Sequence, residues 1–503
     1  MTEQEFAEIG AACDGLLRAP DTNLARLAVP VLHLLSEHPS CLRPYNAARG
    51  SAGLTNIPRA ILGASDALYR SLRDNRERNA HAIPAAHVDV LIVSYLVAPS
   101  QLRTETDFYF GRLQQQLHER GVTSRLLLIN NLPRAHCRNA YREQSCTFPR
   151  TVLPTSCAAP VEAQIWRQCV AARRALRSAA RRAGTPVERN IATRAALQAW
   201  LSASMANLRV HRWISQICSR TTPDIVLTTF EGDACERVIW HAARAHKRDT
   251  LCAGYQHASI LAHSYAIRRA IGVPALDCDP DAILTLGDIT HEALAASPGL
   301  AGIQLIKYGS HRRRERVSFP PLAERPARCL VLPDADPLEC EILFKFALAC
   351  ARQLSALTFA LRPHPMSSLV MLQSRMPELR HLPANVTLSV GTSLEDDCSR
   401  ARCCLYRGSS AVMQAVLAGL KPFYLARPGE MPFDPLFAVT GWRETVSSPT
   451  EFAARVPMTC GTGEAEGVSQ AVNFCDRYVR PIRTAAVDEL LDLVRQRAAA
   501  SRR

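Results

Sequence analysis

Val88-Asp89-Val90-Leu91-Ile92-Val93-Ser94-Tyr95 is a short run rich in β-branched and aliphatic residues. Its length and composition predict a strand covered on both faces. A polar loop follows. Apolar positions over 107–121 recur with helical spacing, and the segment ends in Gly121. Residues 122–130 predict a second strand, so the chain opens a parallel β–α–β unit. Residues 132–160 are rich in Pro, Cys and Arg and read as irregular, and helical stretches follow over 161–183 and 188–219. The alternation then returns, with strands predicted over 224–229, 251–255, 281–286 and 303–308 and helices over 234–246 and 289–296. Residues 1–85 show no strand pattern and read as helix and loop, with candidate helices at 6–17 and 24–35, the latter interrupted by Pro30.

Residues 311–327 break the pattern with His-Arg-Arg-Arg-Glu-Arg, then Phe-Pro-Pro, then Glu-Arg-Pro, and read as a linker. A second alternation begins beyond it. Strands are predicted over 328–333, 357–361, 386–390, 403–406 and 422–425, with helices over 338–354, 368–376, 394–401 and 410–418. The tail from 469 is helical and closes on a basic cluster between Arg495 and Arg503. The fold class is therefore α/β: two Rossmann-like domains facing a central cleft, with a helical N-terminal extension. The expected division is 1–85 extension, 86–310 first Rossmann-like (acceptor) domain, 311–327 linker, 328–468 second Rossmann-like (donor) domain and 469–503 C-terminal helices. Ligands in open α/β sheets bind beyond the carboxyl ends of the strands, which here would face each other across the cleft.

Composition narrows the class. Hydrophobic residues are 47% and charged residues 21% of the 503, which are ordinary globular values. Aromatics are only 6%, which argues against a stacking platform for single-stranded nucleic acid. The net charge of +14 points to a partner carrying phosphate or carboxylate. The 18 cysteines contain no CxxC pair and mostly sit in apolar runs, for example Cys169, Cys252, Cys340 and Cys350, so they read as free buried thiols in a reducing compartment. Residues 1–12 carry three acids and no basic residue, unlike a secretory signal, and no apolar run approaches a membrane span. The expected location is the cytoplasm, with peripheral contact at the inner face of a membrane left open.

Four strand exits carry candidate chemistry. Thr228-Thr229-Phe230-Glu231-Gly232-Asp233 leads from a strand to a helix. A carboxylate there can take a proton from a hydroxyl. Asp233, followed three residues later by Glu236, also fits a capping box, so Glu231 is the favoured base and Asp233 the alternative. Arg362-Pro363-His364-Pro365 fixes a histidine at a strand end, where it can donate to a phosphate. Tyr406-Arg407-Gly408-Ser409-Ser410 precedes a helix and can offer hydroxyls and backbone N–H groups to an anion. Gly254-Tyr255-Gln256-His257 leaves another strand, with Gln256 and His257 as candidate ligand contacts. The arginines at 173, 174, 177, 181 and 182 read as a solvated helix face.

The order of these motifs resembles that of bacterial GT-B sialyltransferases and polysialyltransferases, whose acidic-Gly, His-Pro and paired Ser/Thr motifs have counterparts in Phe230-Glu231-Gly232, His364-Pro365 and Ser409-Ser410. Phe230 departs from the pattern, since an acid is allowed there. The stretch 228–425 is also similar to surface-carbohydrate biosynthesis proteins of bacteria, and CMP-Kdo transferases and CDP-glycerol-dependent polymerases share parts of the pattern. The resemblance implies a CMP-sugar-dependent transferase. Glu231 or Asp233 would be the base, His364 would act on the leaving phosphate, and Arg362, Pro365, Gly408, Ser409, Ser410, Gln256 and His257 would lie around the donor. It implies no cofactor beyond the CMP-sugar co-substrate and an acceptor that is a glycan, glycolipid or glycoprotein. No metal is expected, since Asp277-Cys278-Asp279 precedes Pro280 and reads as a loop and CMP carries only one phosphate, and no nucleic-acid partner is expected, since the charge fits one but the motifs do not. A CDP-glycerol-type phosphotransferase or a non-catalytic binding member are the alternatives.

Overall fold

The structure, a computed structural model, describes residues 2–33, 86–132, 146–262, 264, 267, 278–313, 318–365, 367–456 and 465–500. Seven strands form the first sheet: β1 (Val90–Leu96), β2 (Ser124–Asn130), β3 (Arg150–Leu153), β4 (Ile225–Thr229), β5 (Leu251–Tyr255), β6 (Ala282–Thr285) and β7 (Gln304–Lys307). They lie in the order β3-β2-β1-β4-β5-β6-β7, parallel throughout. Six form the second: β8 (Arg328–Leu332), β9 (Thr358–Leu361), β10 (Val386–Leu388), β11 (Cys403–Tyr406), β12 (Lys421–Leu425) and β13 (Glu444–Val446). Their order is β10-β9-β8-β11-β12-β13, again parallel. The α/β class with two Rossmann-like domains is thus the observed architecture.

Parallel strands need helices on both faces, which is why the central strands are almost wholly apolar. Side chains alternate between those faces. Val90 and Ile92 enter one core, whereas Leu91 and Val93 enter the other. In each sheet the strand order reverses beside the first strand, between β1 and β4 and between β8 and β11. Such reversals open a crevice at the carboxyl ends. The loops that leave β4 and β11 are those carrying Glu231 and Ser409-Ser410.

Several elements differ from the sequence reading. The helix expected over 107–121 is confined to Leu113–His118. The Asp107 carboxylate accepts from the backbone N–H of Tyr109 and Phe110, both at 2.8 Å, and from the Ser94 hydroxyl. That local bonding replaces the first helical turn. Two short edge strands, β3 and β13, were not foreseen. The helical stretch 188–219 is two helices, Pro186–Gln198 and Ser202–Thr221. Of the N-terminal extension, 34–85 lie outside the described residues. The helix Glu3–Arg18 packs with Ala159–Arg182 and Pro186–Gln198 around Phe6, Ile9, Cys169, Leu176 and Ile191, so this part joins the helical layer of the first domain. Candidate helix 24–35 is Leu24–Leu27, with a short 3₁₀ turn from Pro30 to His33. All described cysteines are free thiols, and all but Cys146 are buried.

The tail does not form a unit of its own. Helix Ala465–Tyr478 packs on the second domain through Ala471, Phe474 and Cys475. Helix Ala485–Ala500 returns to the first domain, where Ala486, Val487 and Leu490 complete the core on one face of the first sheet. Between them, the crossing segment runs beside the outgoing linker. Ser310 N–H donates to the Arg480 carbonyl at 2.8 Å, and Arg483 N–H to the Tyr308 carbonyl at 2.8 Å. Gly309, with φ +94°, is required here, since a Cβ would stand 2.2 Å from the Pro481 carbonyl oxygen. Among the described residues, no helix is long and apolar enough to cross a membrane.

Candidate active site

A cleft of about 450 Å³ lies between the two sheets, a size suited to a small-molecule ligand. From the first domain it is lined by Phe108, Tyr109, Phe230, Glu231 and His257, and from the second by Asp334, His364, Pro365, Gly408, Ser409 and Ser410. Arg312 enters from the linker.

The acidic loop is built by its own helix. The Glu236 carboxylate accepts from the backbone N–H groups of Glu231, Gly232 and Asp233 at 2.7, 2.8 and 3.0 Å. Gly232 takes φ +89°, which favours glycine. Asp233 is the N-cap of helix Ala234–His246 and accepts from Cys235 N–H at 2.7 Å and Glu236 N–H at 3.1 Å. Burial, reinforced by the nearby Glu231 charge and opposed by those N–H groups, pushes the Asp233 carboxyl up to about 6. Of the three acids, only Glu231 lines the cleft, with 43% of its side chain exposed there. Asp233, the alternative base, is occupied as a cap.

Glu231 and His257 leave the neighbouring strands β4 and β5, and they meet. His257 Nε2 lies 3.1 Å from Glu231 Oε1. Although the side chain is open to the cleft, the surrounding walls thin the water around the Glu231 carboxylate and work against its charge, but the hydrogen bond and charge of His257 hold it below the usual carboxylate range. The His257 ring packs at 4.5 Å against Tyr109. Burial, with the Glu231 charge, pushes the Tyr109 phenol up to about 12, so it stays protonated. Gln256 does not reach the cleft. It is fully buried, its side-chain amide bonds to the Ala258 carbonyl, and its carbonyl accepts from Leu286 N–H at 3.2 Å.

Across the cleft, β9 delivers His364. The turn is closed by Ser367 N–H donating to the His364 carbonyl at 2.8 Å. Burial lowers the His364 pKa, with Arg312 adding to the effect and Asp334 opposing it, so a neutral imidazole faces the cleft at neutral pH. Arg362 is directed elsewhere. Its guanidinium pairs with Asp397 and donates to the carbonyls of Thr392 and Ser393 at 3.1 and 3.3 Å, which fixes the loop after β10. Arg362, expected from the sequence beside the donor, is not among the residues that line the cleft.

The loop after β11 brings Gly408, at φ +71°, and then Ser409 and Ser410 to the cleft. Ser410 precedes helix Ala411–Leu417 without a capping bond from its hydroxyl. Arg407 anchors this loop from behind. It is 1% exposed and bonds to Glu339, itself fully buried, at 2.6 Å, to Glu430, and to the Leu425 carbonyl at 2.9 Å.

Phe108, Tyr109, Asp334 and Arg312 were not singled out from the sequence. The adjacent aromatics in Asp-Phe-Tyr-Phe-Gly and the arginine run at the linker are the signals that could have found Phe108, Tyr109 and Arg312. Asp277, half of the Asp-Cys-Asp set aside as a loop, lies outside the described residues, and Asp279 is buried in an ion pair with Arg237.

No protein-family profile matches the chain, and no curated protein matches it. Among solved structures it is similar to a glycotransferase of kitacinnamycin (14% identity, 82% of this chain and 100% of that one, TM-score 0.45). It is also similar to a putative UDP-N-acetylglucosamine 2-epimerase from Listeria monocytogenes (10% identity, 81% and 98%, TM-score 0.47), and to MurG of Acinetobacter baumannii (12% identity, 81% and 99%, TM-score 0.40).

Proposed function

We propose that the protein is a glycosyltransferase of the GT-B type that moves a nonulosonic sugar, sialic-like or Kdo, from a CMP donor to a surface glycan, glycolipid or glycoprotein. The observation that carries this reading is the pairing of Glu231 with His257 on one wall of a cleft whose other wall presents His364, Ser409 and Ser410. A proton acceptor faces a set of phosphate donors, as group transfer from a nucleotide requires.

In this reading Glu231, oriented by His257, takes the proton of the acceptor hydroxyl. The acceptor oxygen bonds to the anomeric carbon as the bond from that carbon to the phosphate oxygen breaks, and the electron pair leaves with CMP. The neutral His364 ring and the Ser409 and Ser410 hydroxyls donate to the phosphate as its charge grows. His364 contributes through its N–H, so it needs no net charge.

The test is a thermal-shift comparison of CMP, CDP, UDP and GDP with the full chain. CMP at 100 times its dissociation constant should stabilise the fold by about 2.7 kcal/mol. A shift with UDP or GDP and none with CMP would overturn the donor assignment. Slow hydrolysis of a labelled CMP-sugar separates an enzyme from a non-catalytic binder.

A further inference from the structure

Arg312 is the sole lysine or arginine among the described residues lining the cleft. Its position is fixed by the aromatic loop. The guanidinium carbon lies 4.2 Å from the Phe108 ring centre and 5.6 Å from that of Tyr109. One of its N–H groups donates to the Phe108 carbonyl at 3.2 Å, and the neighbouring His311 ring reaches the same carbonyl at 2.9 Å. Gly111 lets His311 settle there, since a Cβ at that position would stand 2.8 Å from the His311 side chain. Phe108 itself sits on the loop that Asp107 ties to Ser94. Stacked on a ring and bonded through one edge, the guanidinium keeps the rest of its donor fork for a ligand. That fork matches a carboxylate in a two-point contact.

The phosphate of a CMP donor already has its partners in His364, Ser409 and Ser410. A cation held at the rim of the same cleft calls for a second anionic group on the ligand. In the nucleotide of a 2-keto-acid sugar, the anomeric carbon bears both the phosphoester oxygen and the carboxylate. The two anionic groups are therefore neighbours, and Arg312 and His364 line the same cleft. The Glu231 and Asp334 carboxylates that line the same cleft repel a carboxylate, which leaves Arg312 as its place. A neutral aldose offers nothing to this cation. We propose that Arg312 binds the carboxylate of the donor's sugar and so makes the cleft selective for an acidic, ulosonic-type sugar. This inference rests on the CMP-donor reading above and adds the residue that would choose among CMP donors.

The experiment measures binding of CMP, CMP-N-acetylneuraminate, CMP-Kdo and the methyl ester of CMP-N-acetylneuraminate to the full chain and to its Arg312→Gln and Arg312→Lys variants. Wild type should bind at least one of the two acids more tightly than CMP. Arg312→Gln should weaken that acid on the order of 10- to 100-fold and leave CMP within about twofold, with Arg312→Lys between. If the preferred acid is CMP-N-acetylneuraminate, its methyl ester should bind wild type no better than the acid binds Arg312→Gln. The Arg312 side chain is exposed, and an unchanged ligand-free melting temperature would show that the variants fold. Equal weakening of CMP and of the acids would make Arg312 a phosphate contact and overturn the proposal while the donor reading stands. So would acids that bind wild type no better than CMP, or that ignore the substitution. Failure of CMP itself to bind wild type would overturn both.

Discussion

Gly254 lies so close beneath Phe230 that a Cβ would stand 2.7 Å from the Phe230 Cβ. The two residues belong to adjacent strand ends, and the Phe230 ring also packs edge-on against Trp240, with ring centres 5.5 Å apart. Phe230 is the residue at which the acidic motif departs from the family it resembles. Its side chain packs over Gly254 and against Trp240, immediately before Glu231. Gly254→Ala should destabilise the fold by about 1–3 kcal/mol through overpacking. Adding Phe230→Gly should cost less than the sum of the single changes, because it removes the Cβ and ring atoms that the new methyl group would meet. Chemical unfolding of the two single variants and the double variant measures this; strict additivity would refute it.

Glu231→Gln keeps size and hydrogen bonding but cannot accept a proton at neutral pH. Transfer should fall on the order of 10²–10⁴-fold while CMP binding survives. Asp233→Asn preserves an N-cap and should leave both transfer and melting temperature near wild type. The reverse pattern would move the base to Asp233.

His364→Ala should lower turnover on the order of 10²–10³-fold without unfolding the protein, because the ring faces the cleft. Since burial holds the ring neutral, the activity of wild type should not fall as pH rises through the ordinary histidine range on account of this group. A folded His364→Ala variant with full activity would reduce the motif to a turn.

The strand cores were readable because β-branched runs bounded by polar loops are covered on both faces, as at Val90–Leu96 and Ile225–Thr229. The edge strands Arg150–Leu153 and Glu444–Val446 were not, since each begins on a charged residue and is enclosed by turn-forming sequence, Pro149 and Pro154 in one case and Gly441 and Ser447-Ser448-Pro449 in the other. Glu231 and His257 were each visible at a strand exit. Their contact follows from β4 pairing directly with β5, which only the sheet order reveals. An arginine beside a His-Pro turn reads as a ligand group, and its pairing with Asp397, 35 residues away, is not visible in the sequence. Arg312 was hidden in a stretch that reads as linker, although a linker between two domains borders their cleft.

Helices Ser202–Thr221 and Ala234–His246 meet through His211 and His241, with Nε2 and Nδ1 3.1 Å apart. Burial, then the His241 charge, lowers the His211 pKa to about 3. The unfolded chain, titrating near 6.5, therefore binds the proton more readily than the native state between those values. This group's contribution is fully present above about pH 6.5 and is lost as pH falls toward 3. Asp233, raised to about 6, acts with the opposite sign between about 3.8 and 6. The comparison of wild type with His211→Gln isolates the histidine. The variant should lose less stability on going from pH 7 to pH 5 than wild type does, and parallel profiles would refute the assignment.

Arg407→Ala should be far costlier than any cleft substitution. It leaves the Glu339 carboxylate buried without its cation, a change of about 3–5 kcal/mol. Equilibrium unfolding would show it, and a loss under 1 kcal/mol would mean that Glu339 finds another partner.

The return of helix Ala485–Ala500 to the first sheet has a temporal consequence. On the ribosome, domains generally complete themselves in the order in which they emerge. Here the first domain cannot. Its face near β7 lacks Ala486, Val487 and Leu490 until the whole second sheet and the helix Ala465–Tyr478 have been synthesised. The second domain, later in the sequence, has every strand in hand while the first still shows an uncovered apolar face. The half that carries Glu231 and His257 is thus begun first and sealed last.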